Sequence, residues 1–297
     1  MEPASILIQL DSDGQASVFD AVVAIDSGVD QLLQYAHIES TNVKGLVHGA
    51  MFTRGPRELH RTAFFIGGSS VAQGEAILQE IRQTFFGPVR CSVMFDGNGA
   101  NTTAAAAVLS ASRHVNLHGA RCLVLGGTGP VGGRVARLLL GQGAEVILVS
   151  RDLKKAQIAC DQLRKRVSME SALRLHAKSL DDHGVVQAAL EQVSALFSCG
   201  AAGVQMLSAA QLASAPNLRV AVDLNAVPPE GIEGVSVMDK GVQRGARFDY
   251  GAIGVGGLKM KIHRQAIRTL FSRNDLVLDA EEIFAIGKTL LETPAAS

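Results

Sequence analysis

The sequence predicts an α/β protein built as two lobes, and three observations predict it. Leu123 to Gly133 reads LVLGGTGPVGG, where an apolar run, Cys122 to Leu125, enters glycines spaced G-x-G-x-x-G at Gly127, Gly129 and Gly132. Behind them Val135, Ala136, Leu138, Leu139 and Leu140 form an apolar helix face, and a strand, Glu145 to Val149, follows at the spacing of a strand–helix–strand unit. On either side, short apolar runs ending in Gly, Asp or Asn alternate with stretches of helical periodicity, enough for a second lobe of the same class.

The glycines have separate physical uses. The first permits a turn that a Cβ would block, the second lets the backbone approach a pyrophosphate, and the third lets helix and strand pack closely. The helix N-terminus adds free N–H groups and a positive dipole end. A plain strand–helix turn is the alternative, but the flanking elements favour a dinucleotide site formed by Gly127, Thr128, Gly129, Pro130 and Val131. The end of the next strand chooses the nucleotide. An NAD site usually carries Asp or Glu there, about 20 residues past the glycines, for the ribose 2′-hydroxyl. Here Ser150 occupies that position and Arg151 follows, a pair suited to a 2′-phosphate, with Lys154 and Lys155 adding positive charge. NADP is therefore expected. NAD is the weaker alternative, because Asp152 is able either to cap the next helix or to reach back to a ribose.

Composition bounds the rest. The 297 residues allow one large or two ordinary domains, and 47% hydrophobic with 19% charged residues is enough apolar material for full cores. Lys plus Arg equals Asp plus Glu at 28 each, so no bulk charge points to nucleic acid or an anionic membrane. Cys91, Cys122, Cys160 and Cys199 lack metal or redox spacing, which points to free thiols in a reducing cytoplasm. The histidines are dispersed without H-x-x-H spacing, so no metal is expected. Met1 to Ser5 has no basic region before its short apolar run, so no signal peptide is expected, and no apolar stretch is long enough to span a bilayer.

In chain order, Ile6 to Leu10 reads as a strand followed by Asp11 and Asp13. A helix through Val18, Phe19, Val22, Val23 and Ile25 places Asp20 beside its apolar face, either as a functional acid or as an ordinary helix acid. Asp30 to Gly49 reads as one or two helices. Thr53 to Arg57 is a basic turn, open to an acidic ligand or simply a loop. Strands at Thr62 to Ile66 and Val89 to Phe95 flank a helix from Ala72 to Phe86. The second of these strands ends in Asp96-Gly97-Asn98-Gly99-Ala100-Asn101-Thr102-Thr103, and ligands collect beyond such strand ends. A helix cap alone does not need two glycines, two asparagines and an aspartate, so a site is expected here. Beyond Arg151 come a helix to Val167, a short strand at Leu173 to Leu175, a helix from Asp181, and a strand, Ala195 to Ser198. That strand ends in Cys199, Gly200 and Ala201, either a nicotinamide-side approach or a turn. A strand from Arg219 ends at Asn225, a further cofactor-side candidate, and Leu258 onward is helical.

Five stretches, spread from end to end, carry a specific resemblance: SVFD (Ser17 to Asp20), FFGPVR (Phe85 to Arg90), DGNGANTTAAA (Asp96 to Ala106), GGTGPVGGR (Gly126 to Arg134) and GAIGVGGLKMKIHR (Gly251 to Arg264). The chain resembles the NADP-dependent methylene-tetrahydromethanopterin dehydrogenases of one-carbon-metabolising bacteria, a family with members that also use methylene-tetrahydrofolate. The resemblance implies an N-terminal catalytic domain (1–115 with 258–297), a Rossmann-type NADP-binding domain (116–257), C-terminal helices returning to the first lobe, and a homo-oligomer, a trimer. It also implies a reduced pterin as substrate.

A hydride leaving a methylene carbon between two pterin nitrogens leaves a delocalised cation. That chemistry needs no nucleophile, metal or proton shuttle; it needs near-attack positioning and electrostatics suited to growing positive charge. Asp20 and Asp96 are candidates for the charge, and Asn98, Asn101, Thr102 and Thr103 for holding the pterin. Lys259 orients the pterin on this reading, or is a solvated helix lysine. Two other readings stay open. A shikimate- or quinate-type dehydrogenase needs a Lys/Asp pair in the first lobe, where Lys44 is the only lysine before the glycine turn. A non-catalytic NADP-sensing protein would bind NADP without turnover.

Overall fold

The computed structural model describes residues 3–181 and 183–292. The chain divides into two compact units, Met1–Thr102 with Met260–Ser297, and Thr103–Lys259.

In the first unit, β1 (Ile6–Leu10) leads to α1 (Val18–Asp26), β2 (Gln31–Tyr35), α2 (Lys44–Thr53), β3 (Thr62–Ile66), α3 (Val71–Thr84), β4 (Ser92–Phe95) and α4 (Ala100–Ser112), which continues into the second unit. β3 and β4 are buried along their whole length and β1 nearly so, as expected of strands covered on both faces of a parallel sheet. Phe64, Ile66, Ile77, Ile81, Val93 and Phe95 fill the core between this sheet and its helices. Ser17 caps α1, its hydroxyl accepting the Asp20 N–H at 3.2 Å. The region expected to be helical from Asp30 instead holds β2, parallel to β1 from Ile6↔Gln31 to Leu10↔Tyr35. β2 is an exposed edge strand, so its sequence QLLQY carries no buried period to mark it. The basic turn is also put to structural use: Arg54 donates to the carbonyls of Arg61 and Ala4, both at 2.8 Å.

The second unit runs β5 (Arg121–Leu125), α5 (Pro130–Gly141), β6 (Glu145–Ser150), α6 (Leu153–Arg164), α7 (Met169–Ala172), β7 (Leu175–Ser179), α8 (His183–Leu190), β8 (Ala195–Ser198), α9 (Ala209–Ala213), β9 (Val220–Asp223), β10 (Lys240–Arg244) and β11 (Arg247–Tyr250). The strand order is β10-β11-β9-β8-β5-β6-β7, parallel throughout except where β10 meets β11. The chain leaves β5 toward β6 and β7, then crosses back to β8, so the order reverses between β5 and β8. That reversal is where dinucleotides bind in this architecture. The strand expected at Leu173 to Leu175 begins at Leu175 and runs to Ser179, and the hairpin β10–β11 was not foreseen. Two of its arginines, Arg247 and Arg244, converge on the buried Asp249 carboxylate.

The chain returns to the first unit along α10 (Ala252–Leu270). β12 (Val277–Leu278) then pairs with β4, and α11 (Ala280–Glu292) follows. The first sheet is therefore ordered β12-β4-β3-β1-β2, with its own reversal between β1 and β3.

Candidate active site

In the second unit the site grows from the turn after β5. Gly126 carries the positive φ of +68°, and a Cβ there would lie 2.7 Å from backbone atoms of Cys199 and Gly200, so the ends of β5 and β8 meet at glycine distance. The strained position is thus one residue before the first motif glycine. Gly127 is required for another reason: its Cβ would meet the Leu148 side chain at 2.4 Å. Gly132 fits its expected use, since a Cβ there would lie 2.5 Å from the Gly126 carbonyl oxygen. At Gly129 the nearest protein atom would be 3.4 Å away, which leaves room over the loop. Gly129 N-caps α5 without a side-chain cap, Pro130 occupies the first turn, and Thr128 is exposed beside them. The first-turn N–H groups of Val131 and Gly132 therefore point out of the helix end, where an anion is stabilised.

At the end of β6, Ser150 is buried and its carbonyl accepts the Leu180 N–H at 2.8 Å. Arg151, Lys154 and Lys155 are exposed together. Among the described residues no carboxylate pairs with the Arg151 guanidinium. Asp152 caps α6, its Oδ1 accepting the N–H groups of Lys154 at 2.8 Å and Lys155 at 3.4 Å. The acid nearest the ribose position is thereby committed to the helix.

Beyond β8, the Cys199 N–H donates to the Leu125 carbonyl at 2.9 Å. Burial, with the Asp223 charge adding to it, pushes the Cys199 thiol up to about 12. A Cβ on Gly200 would touch Met206 Sδ at 2.9 Å, and Ala201 is exposed. Asn225, a cofactor-side candidate, is hydrogen-bonded within the protein. Its Oδ1 accepts from the N–H groups of Gly203 (3.2 Å) and Val227 (3.1 Å), and its amide donates to the Pro229 carbonyl at 2.8 Å. It stitches the loops after β8 and β9. Asp223, not singled out from sequence, anchors the same loops through the Ile232 N–H at 2.9 Å, and burial raises its pKa.

In the first unit the loops after β1, β3 and β4 are tied into one cluster. Asp13 accepts both the Ser69 N–H (2.9 Å) and the Ser69 hydroxyl (2.7 Å). The Asn98 N–H donates to the Gly68 carbonyl at 2.7 Å. A Cβ on Gly67 would lie 3.3 Å from Asp20 Oδ2 and 3.5 Å from Asp11 Oδ2, so two carboxylates converge on a bare backbone at the β1–β3 reversal. Asp11 is itself buried and accepts the N–H groups of Asp13 and Ser17, both at 2.9 Å. Asp11 and the Gly67-Gly68 pair were not selected from sequence, although they stand at strand ends as Asp96 does.

Asp96, Asn101 and Thr102 are hydrogen-bonded within the protein. Asp96 Oδ1 accepts the N–H groups of Asn101 (2.8 Å) and Thr102 (3.0 Å), and Oδ2 accepts the Thr102 hydroxyl. The Asn101 amide donates to the Phe95 carbonyl at 2.6 Å and to Asp279 Oδ1 at 2.9 Å. All three residues are buried, and the Asp96 carboxylate holds the start of α4. Asn98 has φ of 55° and an exposed side chain, and Thr103 is half-buried. Along α10, Lys259 is half-buried and lies one turn before His263 on the same helix face. His263 stacks on Phe65 with centroids 5.5 Å apart.

A glycine turn at a strand-order reversal, a helix N-terminus left open and a cationic strand end define a dehydrogenase of the nicotinamide-dinucleotide class. Residues 18–98 match the model of the methylene-tetrahydromethanopterin dehydrogenase N-terminal family, and residues 122–225 that of the NAD-dependent epimerase/dehydratase family. The chain is 41% identical to the bifunctional protein MdtA of Methylorubrum extorquens, over 96% of this chain and 98% of that one. It is 31% identical to the NAD(P)-dependent methylenetetrahydromethanopterin dehydrogenase of the same organism, over 95% and 97%. A shikimate 5-dehydrogenase from Listeria monocytogenes shares the fold at 10% identity, with a TM-score of 0.54 over 97% of this chain and 96% of that one. The chain belongs to the NAD(P)-dependent methylenetetrahydromethanopterin dehydrogenase family.

Proposed function

We propose that the protein oxidises methylene-tetrahydromethanopterin to its methenyl form with NADP as hydride acceptor, in one-carbon metabolism. Membership of the family, along nearly the whole chain, supports the reaction. The observation that carries the choice of nucleotide is the exposed Arg151 beside Asp152, whose carboxylate caps α6. Bound NADP supplies the nicotinamide carbon that takes the hydride. The chain holds its phosphates by Gly127, Thr128, Gly129, Pro130 and Val131 and its 2′-phosphate by Arg151, with Ser150 and Lys155 beside it. Cys199, Gly200 and Ala201 flank the nicotinamide end, and Asn225 acts there as a positioning residue.

On the pterin side, the Asp20 carboxylate favours positive charge growing at the reacting carbon. Asp11 is a positioning residue that fixes the β1 loop around it. Asn98 and Thr103 hold the pterin edge, while Asp96, Asn101 and Thr102 fix the loop that presents them. Lys259 orients the pterin by a hydrogen bond. Its own charge opposes a cation, so a role beside the reacting carbon is disfavoured. The hydroxy-acid reading loses support, because Lys44 is an exposed residue at the start of α2.

An assembly of identical chains, a trimer in the family resemblance, belongs to the same proposal. Val18, Val22 and Ile25 leave an apolar stripe of α1 exposed at 75%, 54% and 55%, a surface that a second copy would cover. Sedimentation velocity tests it, and a monomer at micromolar concentration removes it. A cytoplasmic location is proposed from the four free cysteines. The reaction itself is tested by a spectrophotometric assay of both methylene pterins with both nucleotides. Turnover of methylene-tetrahydromethanopterin with NADP is expected. Methylene-tetrahydrofolate turnover alone reassigns the substrate, and oxidation of hydroxy acids instead overturns the reading.

A further inference from the structure

We propose that Ser179 is a positioning residue for recognition of the 2′-phosphate, acting through Arg151. The inference rests on the reading of Arg151 given above. Arg151 follows directly on β6, whose last residue, Ser150, pairs in register with Ser179 at the end of β7. The Ser179 hydroxyl donates to the Arg151 carbonyl at 3.0 Å and accepts the Asp181 N–H at 3.3 Å. One hydroxyl thereby bridges the two loops that leave the adjacent strand ends. The neighbouring peptides are also fixed: the Leu180 N–H donates to the Ser150 carbonyl at 2.8 Å, and Asp152 is bound to the first turn of α6.

Between these two anchors the Arg151 carbonyl is the peptide oxygen that only Ser179 restrains among the described side chains. A guanidinium on an exposed arginine with no carboxylate partner among the described residues gains selectivity only if its backbone is fixed, because a wandering fork loses bidentate geometry at a phosphate. Ser179 touches neither nucleotide nor substrate on this reading. It sets where the fork starts.

The test uses calorimetric titration of the intact protein with 2′,5′-ADP and with 5′-AMP, for wild type, Ser179→Ala, Ser179→Thr, Arg151→Ala and the Ser179→Ala/Arg151→Ala double variant. The readout is the ratio of the two affinities. Ser179→Ala is expected to lower the preference for 2′,5′-ADP about three- to tenfold, with 5′-AMP affinity unchanged. Ser179→Thr, which keeps the hydroxyl, is expected to restore it. In the Arg151→Ala background the serine change is expected to add nothing, because the two act in series. An unchanged ratio in Ser179→Ala overturns the proposal, and so does equal weakening of both ligands, which marks a general structural role. Additive loss in the double variant shows that Ser179 acts without Arg151 and also overturns it. If Arg151→Ala leaves the ratio unchanged, the assignment of the 2′-phosphate to Arg151 fails, and the role of Ser179 fails with it.

Discussion

The Thr102 hydroxyl donates to Asp96 Oδ2 at 2.6 Å while the Thr102 N–H donates to Oδ1 of the same carboxylate at 3.0 Å. This two-point contact closes a ring across the start of α4 and satisfies helix N–H groups that a buried terminus would otherwise leave unpaired. Asp96 is therefore expected to matter first for stability. Asp96→Ala should destabilise the protein by about 2–4 kcal/mol, from a lost cap and a buried hydroxyl left without its acceptor. NADP affinity, read by calorimetry, should stay near wild type. A variant of unchanged thermal midpoint but abolished pterin turnover would return Asp96 to direct substrate contact.

The motif glycines separate folding from binding. A Cβ at Gly132 would press on the backbone, 2.5 Å from the Gly126 oxygen and 2.8 Å from the Gly127 Cα, so Gly132→Ala must shift the turn. Overpacking of this kind costs about 1–3 kcal/mol, and NADP affinity should fall with it. Gly129→Ala meets no protein atom nearer than 3.4 Å. Its thermal midpoint should change little, whereas NADP affinity should fall about tenfold or more, because the new methyl group occupies the space a pyrophosphate needs. Equal thermal losses in both variants would remove the distinction.

What the sequence made legible follows from burial. β1 and β3 are mostly apolar and buried, and the β5–α5–β6 unit carries both a glycine spacing and a buried helix face, so each has a pattern to read. β2, with Gln31, Gln34 and Tyr35 facing solvent, and β10, with Lys240, Gln243 and Arg244, are sheet-edge strands whose residues have no core side to register. The candidate site was legible as a place more than as roles. Asp96-Gly97-Asn98 stands at a strand end, yet the residues that cap a helix are the same types that hold a polar ligand. Only the observed bonds separate buried Asn101 from exposed Asn98. Asp11 and Gly67 were missed because their meeting depends on β1 and β3 being neighbours, a fact of topology rather than spacing.

A pH dependence is expected at the connection between α4 and β5. His114 stacks on Phe248 at 3.9 Å, and its Nε2 lies 2.8 Å from the Tyr250 hydroxyl. Burial, and then the Arg113 charge, lower the His114 pKa, while burial keeps the Tyr250 phenol protonated. The neutral imidazole is thus the form the fold prefers, and the unfolded chain binds this proton more readily. Stability from this site is fully present above the unfolded value of about 6.5 and declines as pH falls through the lower folded value. Urea unfolding at pH 7.5 and pH 5 should show a smaller pH-linked loss in His114→Gln than in wild type. The same slope in both would exclude His114 as the titrating group.

Lys259 tests whether the chemistry includes a proton. Hydride transfer to a nicotinamide requires none in the bond-changing step, so Lys259 is expected to position the pterin. The residue is half-buried on α10, and one helical turn separates it from His263, which is packed on Phe65. A reacting group displaced by about 1 Å can lose on the order of a hundredfold in rate, so Lys259→Ala should lower kcat/KM steeply with fold and NADP affinity retained. A large defect is equally compatible with acid–base work, and the pH profile decides. If Lys259 positions, the wild-type profile between pH 6 and 10 has no steep limb that vanishes on substitution, and Lys259→Arg recovers part of the rate by keeping a donor of similar reach. If Lys259 moves a proton, a titrating limb of wild type disappears in both variants and arginine rescues nothing, since its guanidinium stays charged throughout. Unchanged kinetics in both variants would make Lys259 a solvated helix lysine and leave the orientation of the pterin to Asn98, Thr103 and Asp20.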